Sequence, residues 1–190
     1  VILANSFFLR PTAEVAADLV GCLLCVQRGD LLVRLRIVET EGYLGKGDEA
    51  SHSFRGRTSR NSAMFGPAGR LYIYRIYGVH HCANLVTEEE GVGAAVLIRA
   101  AEPLEGLPWL LANRPQGESK GLCNGPAKLA QALALDLSHD GQSLQHGGIW
   151  LETGEAPSSL SCGPRIGISR SRQLPLRFWW SRHPGVSRKG

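Results

Sequence analysis

Apolar and polar residues follow two different periods along this chain, and the switches between them mark its elements. Pro11 to Val20 carries a helical period, with proline near its start and Gly21 as its stop. Cys22 to Gln27 reads as a strand, Gly29-Asp30 as a turn, and Leu31 to Tyr43 as a longer returning strand. The two-residue period puts Val33, Leu35, Ile37, Glu39, Glu41 and Tyr43 on one face, an apolar surface that turns acidic and aromatic at its end. Gly45 to Gly69 reads as a long loop with one helical turn. Leu71 to Ile76 and Val79 to Val86 read as a hairpin joined at Tyr77-Gly78. Ala94 to Ala100 is a buried strand ending near Arg99, and Glu102 to Gly106 leaves it as a turn. Asn113 to Gly121 reads as exposed loop and Gly125 to Asp136 as a helix. The remainder mixes short strands, Ile149 to Glu152, Arg165 to Ile168 and Leu176 to Trp180, with turns. Neither a repeat nor a linker divides the chain, so the expectation is one α+β domain over residues 1–190.

Charge sharpens that picture. Net charge is only +4, but the chain has 21 Lys and Arg, nearly all of them Arg, the residue suited to bidentate phosphate contact. No Asp or Glu lies between Glu49 and Glu88, where Arg55, Arg57, Arg60, Arg70 and Arg75 stand. A second acid-free window follows Glu155 and holds Arg165, Arg170, Arg172, Arg177, Arg182, Arg188 and Lys189. Separately each is an ordinary solvated face; folded onto one surface they make an electrostatic footprint for nucleic acid. All 4 tyrosines, Tyr43, Tyr72, Tyr74 and Tyr77, fall in or beside the first window. Aromatic faces among guanidinium groups suit an unstacked base and its phosphates.

Other classes recede. No apolar run is long enough to cross a membrane. Val1 to Phe8 is apolar but lacks the flanks of a signal peptide, and a chain starting at Val1 is expected to be trimmed. The 5 cysteines do not resemble a secreted disulfide framework, and Cys22 and Cys25 point to opposite faces of one strand. His80, His81 and Cys82 lack further ligands at a supporting spacing, so neither metal nor cofactor is expected.

Two readings of the carboxylates stay open from the residues alone. Glu39 and Glu41 are either partners of nearby arginines or an acid–base pair in a partly dry pocket walled by Tyr43, His52 and Tyr74. A non-catalytic nucleic-acid module or a carbohydrate hydrolase would use the same features.

Longer motifs narrow the choice. Val38-Glu39-Thr40-Glu41-Gly42-Tyr43-Leu44-Gly45, Asp48-Glu49-Ala50-Ser51-His52, Arg60-Asn61, Met64-Phe65 and Leu71-Tyr72-Ile73-Tyr74 occur in order. They are followed by Tyr77-Gly78-Val79-His80-His81-Cys82-Ala83-Asn84, Leu97-Ile98-Arg99-Ala100, Glu102-Pro103-Leu104-Glu105-Gly106, Gly125-Pro126-Ala127-Lys128-Leu129 and Pro175-Leu176-Arg177-Phe178. Together these resemble the alkyladenine (3-methyladenine) DNA glycosylases over nearly the whole chain. The bacterial branch fits best, because His80-His81 stands where vertebrate members carry Tyr-Phe.

The resemblance implies a single compact domain with a curved antiparallel sheet, a protruding β-hairpin and a few peripheral helices. It implies an enzyme that flips a damaged purine out of duplex DNA and hydrolyses its glycosidic bond. Glu41 would activate the water, which Arg99 and the Ile166 carbonyl would help hold. Tyr43, His52 and Tyr74 would sandwich the base, and Asn84 would crowd the guanine amino group. Tyr77 would wedge into the duplex, with His80 at the second wedge position where the family's aromatic is replaced. Arg60 and Lys128 are candidate phosphate contacts, Lys128 being also readable as a solvated helix residue. With only lysines outside the pocket set, the implied enzyme is monofunctional, without strand cleavage. A cytoplasmic monomer at the nucleoid is expected, with cationic alkylpurines preferred and hypoxanthine second. Two departures, the short Leu107–Leu122 segment and the short loop after Ile168, are expected to alter DNA contacts and lesion range.

Overall fold

A computed structural model describes residues 1–116 and 121–187. Eight strands form one curled antiparallel sheet: β1 (Leu23–Arg28), β2 (Leu31–Tyr43), β3 (Leu71–Ile76), β4 (His80–Thr87), β5 (Ala94–Glu105), β6 (Ile149–Glu152), β7 (Leu160–Gly163) and β8 (Arg177–Trp180). The order is β3-β4-β5-β2-β1-β6, with β7 and β8 attached through β2. The helices are short and peripheral: α1 (Asn5–Phe8), α2 (Thr12–Asp18), α3 (Leu107–Asn113) and α4 (Pro126–Ala132). Val33, Leu35 and Ile37 of β2 enter the main core with Val15 and Ala16 of α2, Leu19 just after it, and Leu129 and Ala130 of α4. Among the described residues no helix is long and apolar enough to cross a membrane.

β2 is the axis of the sheet. β5 pairs along one edge from Arg34 to Tyr43, while the other edge is taken first by β1 and then, at Glu39–Glu41, by β8. Three irregularities interrupt the β2–β5 ladder, two of them close together. Ile37 pairs with Ala101 and Glu39 with Ala100, leaving Val38 over; Thr40 then pairs with Ile98, leaving Arg99 over. Such extra residues swing side chains onto new faces.

The face expected from strict alternation is therefore not the observed one. Thr40 donates to the Ala16 carbonyl of α2, and a side chain on Gly42 would meet Thr12 and Ala16. The α2 side thus continues from Ile37 through Thr40 and Gly42, and Glu39, Glu41 and Tyr43 point the other way. The extra residue at Val38 inverts the phase, which no local composition signals.

Four element assignments also depart from expectation. β5 runs on to Glu105 because Arg36 and Arg34 of β2 pair with Glu102 and Glu105 across the ladder, and the register shift at Leu104 accommodates Pro103. Arg165 to Ile168 is loop, and the neighbouring strand is β7 instead. Leu107–Asn113, unassigned in sequence, is α3, whereas α4 ends early at Ala132. There Ala134 adopts φ 49°, and Leu135 N–H reaches back to the Ala130 carbonyl while Ala134 N–H reaches Gln131. This is a Schellman ending with alanine where glycine is usual.

Ala134 is exposed and loses no packing on truncation. The left-handed conformation costs alanine about 1–2 kcal/mol, against about 0.5–1 kcal/mol of extra chain entropy for glycine. Ala134→Gly should therefore stabilise the protein by about 0.5–1 kcal/mol, read as a higher urea midpoint at unchanged slope.

Candidate active site

Glu41 sits in the middle of three paired strands with no exposed surface. Its Oε1 accepts the Ile166 backbone N–H at 2.7 Å, and its Oε2 accepts the Tyr43 hydroxyl at 2.9 Å. Arg99 Nη1 lies 3.4 Å from the same Oε2. Burial raises the Glu41 pKa, and Arg99, the Ile166 amide and Tyr43 oppose that rise without cancelling it. The group is a carboxylate held in place by two hydrogen bonds and an ion pair, yet readier to take a proton than a solvated one.

Glu39 is also fully buried but closed off. Its Oε1 accepts from Arg99 Nε at 3.1 Å and Arg177 Nε at 2.7 Å, and its Oε2 accepts the Ser187 amide at 2.7 Å. Arg99, displaced outward by the ladder irregularity, thus bridges both carboxylates. Glu39 orients Arg99 rather than facing a ligand, so the two glutamates are not an acid and base flanking a common bond.

A second buried pair holds the loops. Arg165 forks onto Asp48 at 2.6 and 2.7 Å, and both side chains are fully buried. The same guanidinium donates to the Gly42 carbonyl at 2.9 Å and lies 4.6 Å from the centre of the Tyr43 ring. Asp48 also accepts the amides of Leu44 and Ala50, each at 3.1 Å. Burial pushes the Asp48 pKa up, but Arg165 and these amides outweigh it and hold the carboxyl below its ordinary value. One ion pair thereby backs Tyr43, folds the loop after β2 and places the Ile166 amide on Glu41.

A cleft of about 500 Å³ opens beside Tyr43, Arg99 and Ile166, the groups that contact Glu41; Glu41 itself lies behind them and does not line it. Tyr43, His52, Tyr74, Asn84, Arg99 and Ile166 all line it, so the structure brings together the residues that sequence nominated for a base-binding pocket. His52 Nδ1 and the Tyr72 hydroxyl are 2.8 Å apart, and the His52 and Tyr74 rings meet edge-on at 4.5 Å. Tyr72 is core, as expected, but also a cleft wall. Asn61 fixes the His52 loop by donating to the carbonyls of His52 and Gly56. Partial burial of the ring, then the Arg60 charge, lowers the His52 pKa and so disfavours its protonated form, although the residue keeps an exposed side. Asn84 is anchored by a 3.0 Å bond to the Tyr72 carbonyl.

Tyr77 projects from the hairpin tip with 90% of its surface exposed. Its φ of 48°, followed by 73° at Gly78, is an unfavourable conformation for a bulky residue. The remaining predicted contacts lie outside the cleft. His80 is exposed at the start of β4, and Arg60 is exposed and donates to the Arg75 carbonyl of the hairpin. Lys128 bonds Asn124 at 2.7 Å; from the same helix it is Pro126 that reaches the cleft. Among the described residues no three His, Cys, Asp or Glu side chains are grouped to hold a metal.

The chain matches the profile of a family described as methylpurine-DNA glycosylase (MPG) over residues 6–184. The chain belongs to the methylpurine-DNA glycosylase family. Relatives carrying the name "Putative 3-methyladenine DNA glycosylase" include one from Chlorobaculum parvum, 47% identical over 97% of this chain and 90% of its own length. One from Methanoculleus marisnigri is 45% identical over 98% and 99%, and one from Synechococcus sp. is 47% identical over 94% and 95%. Within this glycosylase, the members sequence reasoning missed are Asp48, Arg165 and Arg177. Asp48 and Arg165 stand 117 residues apart, and nothing local marks either as a partner of the other.

Arg165→Met should cost about 3–5 kcal/mol in chemical denaturation, because Asp48 is left as an unpaired buried charge. Comparison with Asp48→Asn tests the electrostatics. Since the folded carboxyl is held below 3.8, its pH-dependent stabilisation is complete above that value. It is lost as pH falls through the depressed folded value, so the stability gap between wild type and Asp48→Asn should be level near neutrality and shrink only in strong acid.

Proposed function

We propose that this protein excises alkylated purines from duplex DNA by flipping the damaged nucleotide into the cleft and hydrolysing its N-glycosidic bond with water activated by Glu41. The observation that carries the reading is Glu41 itself: a buried carboxylate oriented by Ile166, Tyr43 and Arg99, all three of which line an aromatic-walled cleft. In this mechanism Glu41 accepts a proton as the water oxygen bonds to C1′ of the deoxyribose. The C1′–N bond breaks and its electron pair leaves with the base. The carboxylate's charge also stabilises the positive character that develops on the sugar. Arg99, and the Ile166 carbonyl beside the amide that orients Glu41, would position the water.

A cationic alkylpurine leaves as a neutral base and needs no proton. Hypoxanthine and ethenoadenine need one, and a neutral His52 is a weak source. Cationic lesions are therefore first, hypoxanthine second. Tyr43 on one side of the base and His52 with Tyr74 on the other supply stacking that favours an electron-poor ring. Asn84 would exclude guanine by meeting its exocyclic amine. Tyr77 would fill the gap left in the duplex, with His80, Arg60 and Lys128 as candidate backbone contacts. None of the described residues lining the cleft is a lysine, which supports a monofunctional reaction that leaves an intact abasic site. The same reading takes duplex DNA as partner and a cytoplasmic monomer at the nucleoid as the working form.

Duplex oligonucleotides carrying methylated purines, hypoxanthine or ethenoadenine provide the test. Abasic sites revealed only by alkaline cleavage are expected, fastest from methylated adenine; base release from none of them sinks the proposal. Glu41→Gln should lose at least about a hundredfold in single-turnover rate while still binding lesion duplex. A variant that excises normally would make the protein a binding module acting through other residues.

The pH profile gives an independent check. Glu41 must be ionised to accept a proton, and its pKa is raised above the ordinary 4.5. The wild-type rate on a cationic lesion should therefore fall as pH drops through a value above 4.5, not below it.

A further inference from the structure

The two acid-free stretches of the chain meet at a place that no step of this reaction uses. Beside the cleft lies a notch of about 250 Å³ lined by Glu49, Ser51, His52, Phe54, Arg55 and Arg170. It shares Glu49, His52 and Arg170 with the cleft, so the two are neighbouring compartments of one surface. Arg55 comes from the first acid-free window and Arg170 from the second. Arg55 is exposed and has neither a hydrogen bond nor an ion pair among the described residues. Arg170 is held by Glu49 at 2.9 Å, but both side chains are about half exposed, at 59% and 49%. Phe54 leaves 46% of its surface in solvent between them.

We propose that this notch binds the phosphodiester adjoining the flipped nucleotide: Arg55 and Arg170 take its oxygens and the Phe54 ring packs on the attached deoxyribose. The inference rests on the glycosylase reading, because a base inside the cleft fixes where its own backbone must run. A nucleotide is covalently tied to a phosphate on each side, so with its base buried at least one of them must cross the cleft's rim. The notch is a rim compartment with two guanidinium groups and an apolar face. Guanidinium is the side chain best matched to phosphate oxygens, and charge-assisted bonds to phosphate outrank an exposed ion pair worth no more than about 1 kcal/mol. Arg170 is thus free to exchange Glu49 for DNA. Glu49 is its competitor, and removing that carboxylate should tighten DNA binding rather than weaken it.

The test is a coupling measurement between protein and backbone charge. Wild type and the double variant Arg55→Gln/Arg170→Gln are titrated by fluorescence anisotropy against duplexes holding a tetrahydrofuran abasic analogue. The phosphate on its 5′ or its 3′ side is replaced by a neutral methylphosphonate. Both arginines are surface residues, and unchanged thermal melting would confirm that the variant folds. Neutralising one of the two linkages should weaken wild-type binding roughly tenfold, while the double variant, already weaker by a similar factor, should be indifferent to it. Phe54→Ala should weaken binding several-fold and Glu49→Gln should strengthen it. Failure of both linkages to affect wild type would overturn the proposal, as would equal losses in wild type and variant or no binding to the abasic duplex. If wild type releases methylated bases yet shows no coupling, the notch alone is wrong. If coupling is found but no base is released, the excision reading is wrong and the phosphate site stands.

Discussion

The placement of Arg99 governs the site. It is one of three residues left over where β2 and β5 fall out of register, and that displacement sends its guanidinium between Glu39 and Glu41. Without the irregularities at Val38 and Arg99, regular alternation would carry both glutamates to the α2 side, among apolar side chains. With them, the carboxylates leave the core just where β8 completes a third paired strand. An acidic pair in the middle of a sheet is tolerable only because Arg99 and Arg177 are there to meet it.

Asp48 and Arg165 extend the same logic from sheet to loops. The segments after β2 and after β7 contain few apolar residues and would not hold a shape by burial alone. The attachment that ties the two together is an ion pair whose guanidinium simultaneously stacks on Tyr43 and fixes the chain that presents the Ile166 amide. The geometry around Glu41 therefore depends on contacts spread across β2, β5 and two loops. This is how a site can be rigid at the carboxylate while its rim is built of exposed, weakly paired side chains such as Glu49 and Arg170.

How much of this was legible in the sequence follows the range of the interactions involved. β2 and β3 were found at their observed ends because periodicity and a two-residue turn are local signals. The cleft set of Tyr43, His52, Tyr74, Asn84 and Arg99 was named through motif resemblance and is assembled in one place. The face assignment of β2 failed because one extra residue at Val38 inverts the phase without changing the residue types. Arg165 was counted only as positive charge, since its partner lies in a distant loop. The turn assigned to Glu102–Gly106 failed for a related reason: a polar segment stays in a ladder when the opposite strand supplies arginines.

The buried charges, taken together, bear on why one fold can both hold and use a carboxylate. Glu39, Glu41 and Asp48 face Arg99, Arg165 and Arg177, and these are the only charged residues among the buried described ones. Formally they cancel, so the interior carries no large field before substrate arrives. The compensation is uneven, however. Glu39 has two guanidinium groups and an amide, while Glu41 has an amide, a hydroxyl and a more distant Arg99, and burial raises the Glu41 pKa. Of two carboxylates on one strand, the less completely compensated one lies next to the cleft. Positive charge developing on a sugar there would add what Glu41 lacks, so the same imbalance that raises its pKa favours the transition state over the empty site.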